Sequence, residues 1–171
     1  DPVVELAYAF ACLFSRRLEE GLKHFEIRFK YKLKSYLQFP YPKWEGEPDQ
    51  TVYVDADQGI GDTLSFARFI PAAAKRAKYL HLAVQPELVR LFMHAFVGLP
   101  NVNVIPKPHP FPPADCWSTF VSLPYALKLT TQEIVDCPHI TAPKMPVAAN
   151  WRVPDRKLHV GIAWAGSPHN D

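Results

Sequence analysis

The sequence predicts an α/β protein: a Rossmann-like, mainly parallel sheet with helices on both faces, preceded by a pair of short helices. Three observations carry this. The run Thr51-Val52-Tyr53-Val54-Asp55-Ala56 is β-branched and aromatic, and Gln58-Gly59-Ile60-Gly61-Asp62 then turns into residues with apolar side chains at helical spacing, Leu64, Phe66, Ala67, Phe69 and Ile70. The same strand-then-helix order recurs at Tyr79 to Gly98. Connections between such units are long enough for the crossovers that parallel strands require.

The chain has 171 residues and a mass of 19.4 kDa, enough for one well-buried domain with or without a small appendage. Its 19 basic and 17 acidic residues leave a formal charge of +2, too weak a field to hold a polyanion, so nucleic acid is not an expected partner. Cys12, Cys116 and Cys137 lie far apart, odd in number and without ligand spacing, which argues against a disulfide framework or a zinc site. A reducing, cytoplasmic setting is expected. No stretch approaches the roughly 18 to 20 uninterrupted apolar residues of a membrane span, and Pro2 and Glu5 do not suit a signal peptide. The opening Asp-Pro suggests an excised piece.

Residues 3 to 34 read as two antiparallel helices. Leu6, Phe10, Leu13 and Phe14 form one stripe, a break follows near Ser15-Arg16-Arg17, and Leu18, Leu22, Phe25, Phe29 and Leu33 form another. Small Ala9 and Gly21 would let the helices approach closely. Tyr36 to Pro48 is a proline and aromatic connector whose Phe39, Tyr41 and Trp44 are expected to pack where hairpin meets sheet. Prolines, 18 in all, gather at 40 to 48, 106 to 113 and 138 to 154 and mark the boundaries between segments.

Beyond the opening unit, Tyr79 to Val84 is the second strand, and Pro86 starts a helix through Leu88, Leu91, Phe92 and Phe96. Val102 to Ile105 is the third strand, Lys107 to Asp115 a loop, and Cys116 to Val121 the fourth strand, ending in Ser122-Leu123-Pro124. A short helix through Tyr125 to Leu127 precedes another capped by Thr130-Thr131, and His139-Ile140-Thr141 is a candidate edge strand. Leu158 to Trp164 reads as a buried strand opening a second sheet. The expected units are therefore a hairpin at 1–37, a linker at 38–50, a Rossmann-like domain at 51–146, and a connector with the first strand of another domain at 147–171.

The hairpin spacing resembles a tetratricopeptide repeat in Tyr8-Ala9, Leu18-Glu19-Glu20-Gly21 and Phe25, although an ordinary helical hairpin explains it equally well. The larger pattern lies in Glu26-Ile27-Arg28-Phe29, Lys43-Trp44-Glu45-Gly46-Glu47-Pro48, Asp57-Gln58-Gly59-Ile60-Gly61-Asp62-Thr63, Phe66-Ala67-Arg68-Phe69, Val84-Gln85-Pro86, Ser122-Leu123-Pro124 and Gly161-Ile162-Ala163-Trp164-Ala165-Gly166. In this order these pieces resemble the glycosyltransferase-like region behind tetratricopeptide repeats in many bacterial proteins. That region is itself similar to the heptosyltransferases, family 9-like enzymes of the two-domain GT-B fold.

The resemblance implies a transferase whose N-terminal lobe binds acceptor while a C-terminal lobe binds a nucleotide-sugar donor. No metal or other cofactor is expected. The acceptor would be a protein or glycan, and the repeat-like helices would serve a protein partner. The resemblance makes Asp62 the candidate catalytic base, although an acid in a helix's first turn also serves as a cap. Gln58, Gly59, Gly61 and Ser122 are the candidate substrate contacts. The glycines are equally explained by left-handed turn dihedrals, Gln58 by a solvent-facing loop, and Ser122 by an N-cap role. Gly166, Ser167, His169, Asn170 and Asp171 would face the donor. With only this much of the second lobe, the chain alone is expected not to catalyse transfer. Two other readings fit the residues: a scaffold of repeat hairpin and Rossmann-like domain without activity, and a flavodoxin-like nucleotide-binding domain.

Overall fold

A computed structural model describes residues 1–30 and 39–142. Helices α1 (Pro2–Phe14) and α2 (Leu18–Phe25) form an antiparallel hairpin. Asp1 caps α1 by accepting from the Val3 N–H at 2.8 Å. Ala9 and Gly21 are buried at the hairpin's seam, and a Cβ on Gly21 would sit 2.7 Å from the Leu13 side chain, so the close approach depends on the missing side chain. The second helix is shorter than its apolar stripe predicts. After Phe25 the backbone tightens into a 3₁₀ turn at Glu26–Phe29, which turns Arg28 inward toward the sheet, and Leu33 lies outside the described residues.

Four parallel strands follow, β1 (Thr51–Asp55), β2 (Tyr79–Val84), β3 (Val102–Pro106) and β4 (Cys116–Thr119), in the spatial order β3-β2-β1-β4. Thr51 pairs with Tyr79, Leu80 with Val102 and Val52 with Cys116. The fourth strand is shorter than predicted because, once Phe120 N–H has made the last ladder bond to the Asp55 carbonyl, Ser122 N–H donates to the Thr119 carbonyl three residues back and turns the chain. Among the described residues His139 to Thr141 pairs with no strand. Arg68 lies against its start, Nη1 donating to the Cys137 carbonyl at 3.4 Å and lying 3.4 Å from His139 Nε2.

Val52, Val54, Leu80, Leu82 and Val84 point to one face. They are packed under α3 (Ile60–Phe66), α4 (Ile70–Arg76) and α5 (Val89–Ala95), with α6 (Leu123–Ala126) and α7 (Thr131–Asp136) completing the same core. The predicted Thr130 cap is a full capping box, its hydroxyl accepting from Glu133 N–H while Glu133 accepts from Thr130 N–H. On the other face Tyr53, Ala83 and Ile105 are covered by Phe39, Tyr41, Phe111, Ala114 and Trp117, none of them helical. Helices thus cover one face, while aromatic side chains from the connector and the proline-rich loop cover the described part of the other.

The connector packs as its composition suggests. Phe39 stacks on Trp117 with ring centroids 4.3 Å apart, and Trp44 is wholly buried, its indole N–H donating to the Glu47 carbonyl at 2.9 Å. Trp44 N–H also donates to the Trp117 carbonyl and Trp117 N–H to that of Pro42, so the connector pairs briefly with β4. Gly46 fixes this path: its φ is +89°, and a Cβ there would meet the Ala126 carbonyl oxygen at 2.1 Å. Gly46→Ala is expected to cost about 2 kcal/mol of stability in urea unfolding, and an unchanged midpoint would contradict this packing.

Candidate functional site at the carboxyl rim of the sheet

In a sheet of order β3-β2-β1-β4 the order of strand addition reverses between β1 and β4: β2 and β3 are laid down on one side of β1, and β4 on the other. Open parallel sheets bind ligands outside the carboxyl ends of the strands flanking such a point. Here those ends are Asp55-Ala56-Asp57-Gln58 and Thr119-Phe120-Val121-Ser122.

The crevice between them is filled by Arg28 from the helical hairpin. Its side chain is 2% exposed. Nη2 donates to Ser122 Oγ at 2.8 Å and Thr119 Oγ1 at 3.0 Å; Nε and Nη2 each lie 3.4 Å from Asp57 Oδ2. Nη1 donates to Glu26 Oε1 at 2.8 Å and the Phe25 carbonyl at 3.0 Å. The guanidinium also lies over the Phe29 ring at 4.0 Å and the Phe25 ring at 4.5 Å. Ser122 Oγ donates to Glu26 Oε1 at 2.8 Å, and Lys43 pairs with the other oxygen of Glu26. Two carboxylates, two cations and two hydroxyls thus form one buried network in which a planar fork reaches several acceptors at once.

Ser122 is fully buried in this network and is the N-cap residue of α6, without a side-chain cap bond. A ligand would reach its hydroxyl only after Arg28 moved. The structure therefore ties Ser122 to the hairpin through Arg28 and Glu26.

Gln58, Gly59, Gly61 and Asp62 sit together where β1 turns into α3. Gly59 is the N-cap of α3 with φ −65° and ψ 169°, and Gly61 also lies outside the left-handed region, so turn dihedrals do not explain either glycine. Gly61 has no heavy atom within 4 Å of where a Cβ would stand, and it lines a cavity of about 390 Å³ with Leu64, Ser65, Leu91, His139, Ile140 and Ala142. Asp62 is exposed, and its Oδ2 lies 3.5 Å from the position a Gly59 Cβ would take, so the carboxylate folds back over the bare turn. Gln58 Nε2 donates to Asp57 Oδ2 at 3.2 Å, and the Gln58 carbonyl accepts from Gln85 Nε2 at 3.0 Å. Asp57 joins the two groups: the same Oδ2 faces Arg28 on the β4 side and Gln58 on the α3 side. Asp57 Oδ1 and Gln85 Oε1 are buried acceptors without a hydrogen-bond partner.

Further along the rim, Lys107 reaches from the end of β3 to Asp55 Oδ1 at 2.6 Å and to the Ala56 carbonyl at 3.0 Å. Asp55 is wholly buried, and Tyr53 OH donates to its Oδ2 at 3.2 Å. Burial pushes the Asp55 carboxyl above its usual range against the pull of Lys107, and pushes the Tyr53 phenol up as well, with Asp55 adding to the effect. Arg28, Asp55, Asp57, Gln85 and Lys107 are the rim residues that sequence reasoning passed over as site members. For Asp55, Gln85 and Lys107 the available signal was their place at the last position of, or just after, a strand.

Gly166, Ser167, His169, Asn170 and Asp171 lie outside the described residues, as does the strand expected at Leu158 to Trp164. Among the described residues no three His, Cys, Asp or Glu side chains gather in an arrangement that would hold a metal, and no helix is long and apolar enough to cross a membrane.

Fold and rim together define an α/β protein with a Rossmann-like, all-parallel four-stranded sheet whose carboxyl edge carries charge. The chain matches no family model, no curated protein and no solved structure.

Proposed function

We propose that the chain is the acceptor-side lobe of a glycosyltransferase-like protein, in which a sugar passes from a nucleotide-sugar to a hydroxyl of a protein or glycan acceptor. The observation that supports this reading most is the exposed Asp62 carboxylate, folded over Gly59 at the turn leaving β1 and next to the cavity lined by Gly61. In that role Asp62 accepts the acceptor's hydroxyl proton as its oxygen bonds to the anomeric carbon. The carbon–oxygen bond to the nucleotide diphosphate breaks, and the diphosphate leaves with the electron pair. Hydrogen-bond donors of the second lobe, by the resemblance Ser167, His169 and Asn170, would stabilise the charge on the departing oxygen. The repeat-like hairpin would hold a protein acceptor through the outer side of α1, where Val3, Val4, Phe10 and Phe14 are exposed.

A second reading is favoured by one observation. Arg28 fills the crevice where the strand order reverses, so the hairpin and sheet also suit a binding module without turnover. Calorimetric titration of the intact protein with UDP-, GDP-, ADP- and CMP-sugars separates the two. Saturable heat with one donor is the expected result, and no heat with any of them would favour the module.

A further inference from the structure

On the sheet face away from α3, Trp117, Tyr53, His81 and Asn103 stand side by side in register across all four strands. Toward the carboxyl end of this row the cover gives way to a cavity of about 350 Å³ lined by Tyr53, Lys107, Pro108, His109 and Phe111. That volume lies at the small end of ligand pockets and suits one ring with one substituent. The Tyr53 and Phe111 rings meet at 81° with centroids 5.2 Å apart, a corner in which a flat ligand can lie face-on to one ring and edge-on to the other. Phe111 is held on its other sides by Phe39 at 5.9 Å and Tyr41 at 6.5 Å, while Tyr41 OH donates to the Pro112 carbonyl at 2.6 Å. The corner is therefore built into the fold by aromatic packing on several sides.

The polar groups at this cavity have one character. Both Asp55 oxygens are committed, Oδ1 to Lys107 and Oδ2 to Tyr53, and the residue is wholly buried. Lys107 spends two of its three ammonium protons on Asp55 and the Ala56 carbonyl, and its side chain is 27% exposed. His109 is exposed at the mouth with Nδ1 against the Pro110 carbonyl, which can only accept, so the ring's Nε2 is the atom left for a ligand. The side chains that reach solvent here are a cation and an imidazole, above aromatic walls.

We propose that this cavity binds a flat ring bearing an anionic group, an aryl phosphate or aryl carboxylate by chemical class. The ring lies in the Tyr53–Phe111 corner, and its anion accepts from the remaining Lys107 proton and from His109 Nε2–H in the imidazolium form, the form in which both ring nitrogens donate. The site is independent of sugar transfer, being on the opposite sheet face from Asp62.

Phenyl phosphate, benzoate, benzylamine and cyclohexanol titrated into the full chain, followed by amide chemical shifts, test the assignment. The two ring anions are expected to shift Lys107, His109 and Phe111 saturably in the millimolar range; benzylamine and cyclohexanol should not. His109→Gln should weaken phenyl phosphate about twofold and Phe111→Ala about fivefold or more. Benzylamine binding as tightly as phenyl phosphate, shifts elsewhere only, or wild-type affinity in both variants would each overturn the proposal. Should Phe111→Ala lose its fold, the anion-over-cation preference of the wild type and the His109→Gln result still decide.

Discussion

Replacing Arg28 by methionine is expected to destabilise the chain by about 3 kcal/mol or more, because removing one partner of a buried ion pair leaves the other charge uncompensated. Arg28 is 2% exposed, and the Asp57 side chain facing it is only 4% exposed. Methionine fills much of the same space between Phe25 and Phe29, so the loss reads out the charge network and not a cavity. Glu26 keeps Lys43, but Asp57 keeps only the Gln58 amide, and the Thr119 and Ser122 hydroxyls lose their shared donor. Arg28→Lys retains the charge without the planar fork. It should recover part of the loss, since three ammonium protons cannot reach the carboxylates of Glu26 and Asp57, the hydroxyls of Thr119 and Ser122 and the Phe25 carbonyl, all of which the guanidinium holds. At this chain length a 3 kcal/mol loss lowers the melting temperature by roughly 6 to 12 °C. A methionine variant within 1 kcal/mol of wild type in urea unfolding would show that the hairpin is not held to the sheet through this contact.

Arg28 also shows where sequence reasoning stops. A cation in the last turns of an amphipathic hairpin reads as a solvent-facing residue, and nothing within the local window says otherwise. Its burial is decided by Asp57, Thr119 and Ser122, which are 29, 91 and 94 positions away along the chain. The 3₁₀ turn at Glu26–Phe29 that turns it inward was hidden behind an apolar stripe that continues past it to Leu33.

Local patterns served well where the physics is local. Tyr79 to Val84 was legible residue for residue, because Leu80, Leu82 and Val84 alternate along a short run bounded by Lys78 and Gln85, and the Thr130 cap followed from residue type and spacing. The parallel order followed from the alternation of strand and helix. The packing of Phe39 and Tyr41 followed from the connector's apolar composition, whereas Phe111, which packs against the same face from the proline-rich loop, carried no signal of its own. The glycine turn was legible as a turn, but its geometry was not: Gly59 is extended, and what both glycines contribute is a bare surface. Ser122 sits at the predicted strand end, yet its partner came from the hairpin.

At the functional end of the account stands Asp62, exposed in the first turn of α3. An amide in place of its carboxylate keeps the shape and removes the proton acceptor. Because the side chain is at the surface, Asp62→Asn should move the unfolding midpoint little, by no more than about 1 kcal/mol for a lost first-turn acid. Its effect on chemistry should be far larger, about 10²- to 10⁴-fold in turnover, the range a positioned general base contributes. The most direct measurement is therefore the rate of sugar transfer by the intact protein, wild type against Asp62→Asn, with the nucleotide-sugar that gives saturable heat. The account predicts a loss of at least a hundredfold at nearly unchanged stability, and an Asp62→Asn variant that turns over at the wild-type rate would contradict it.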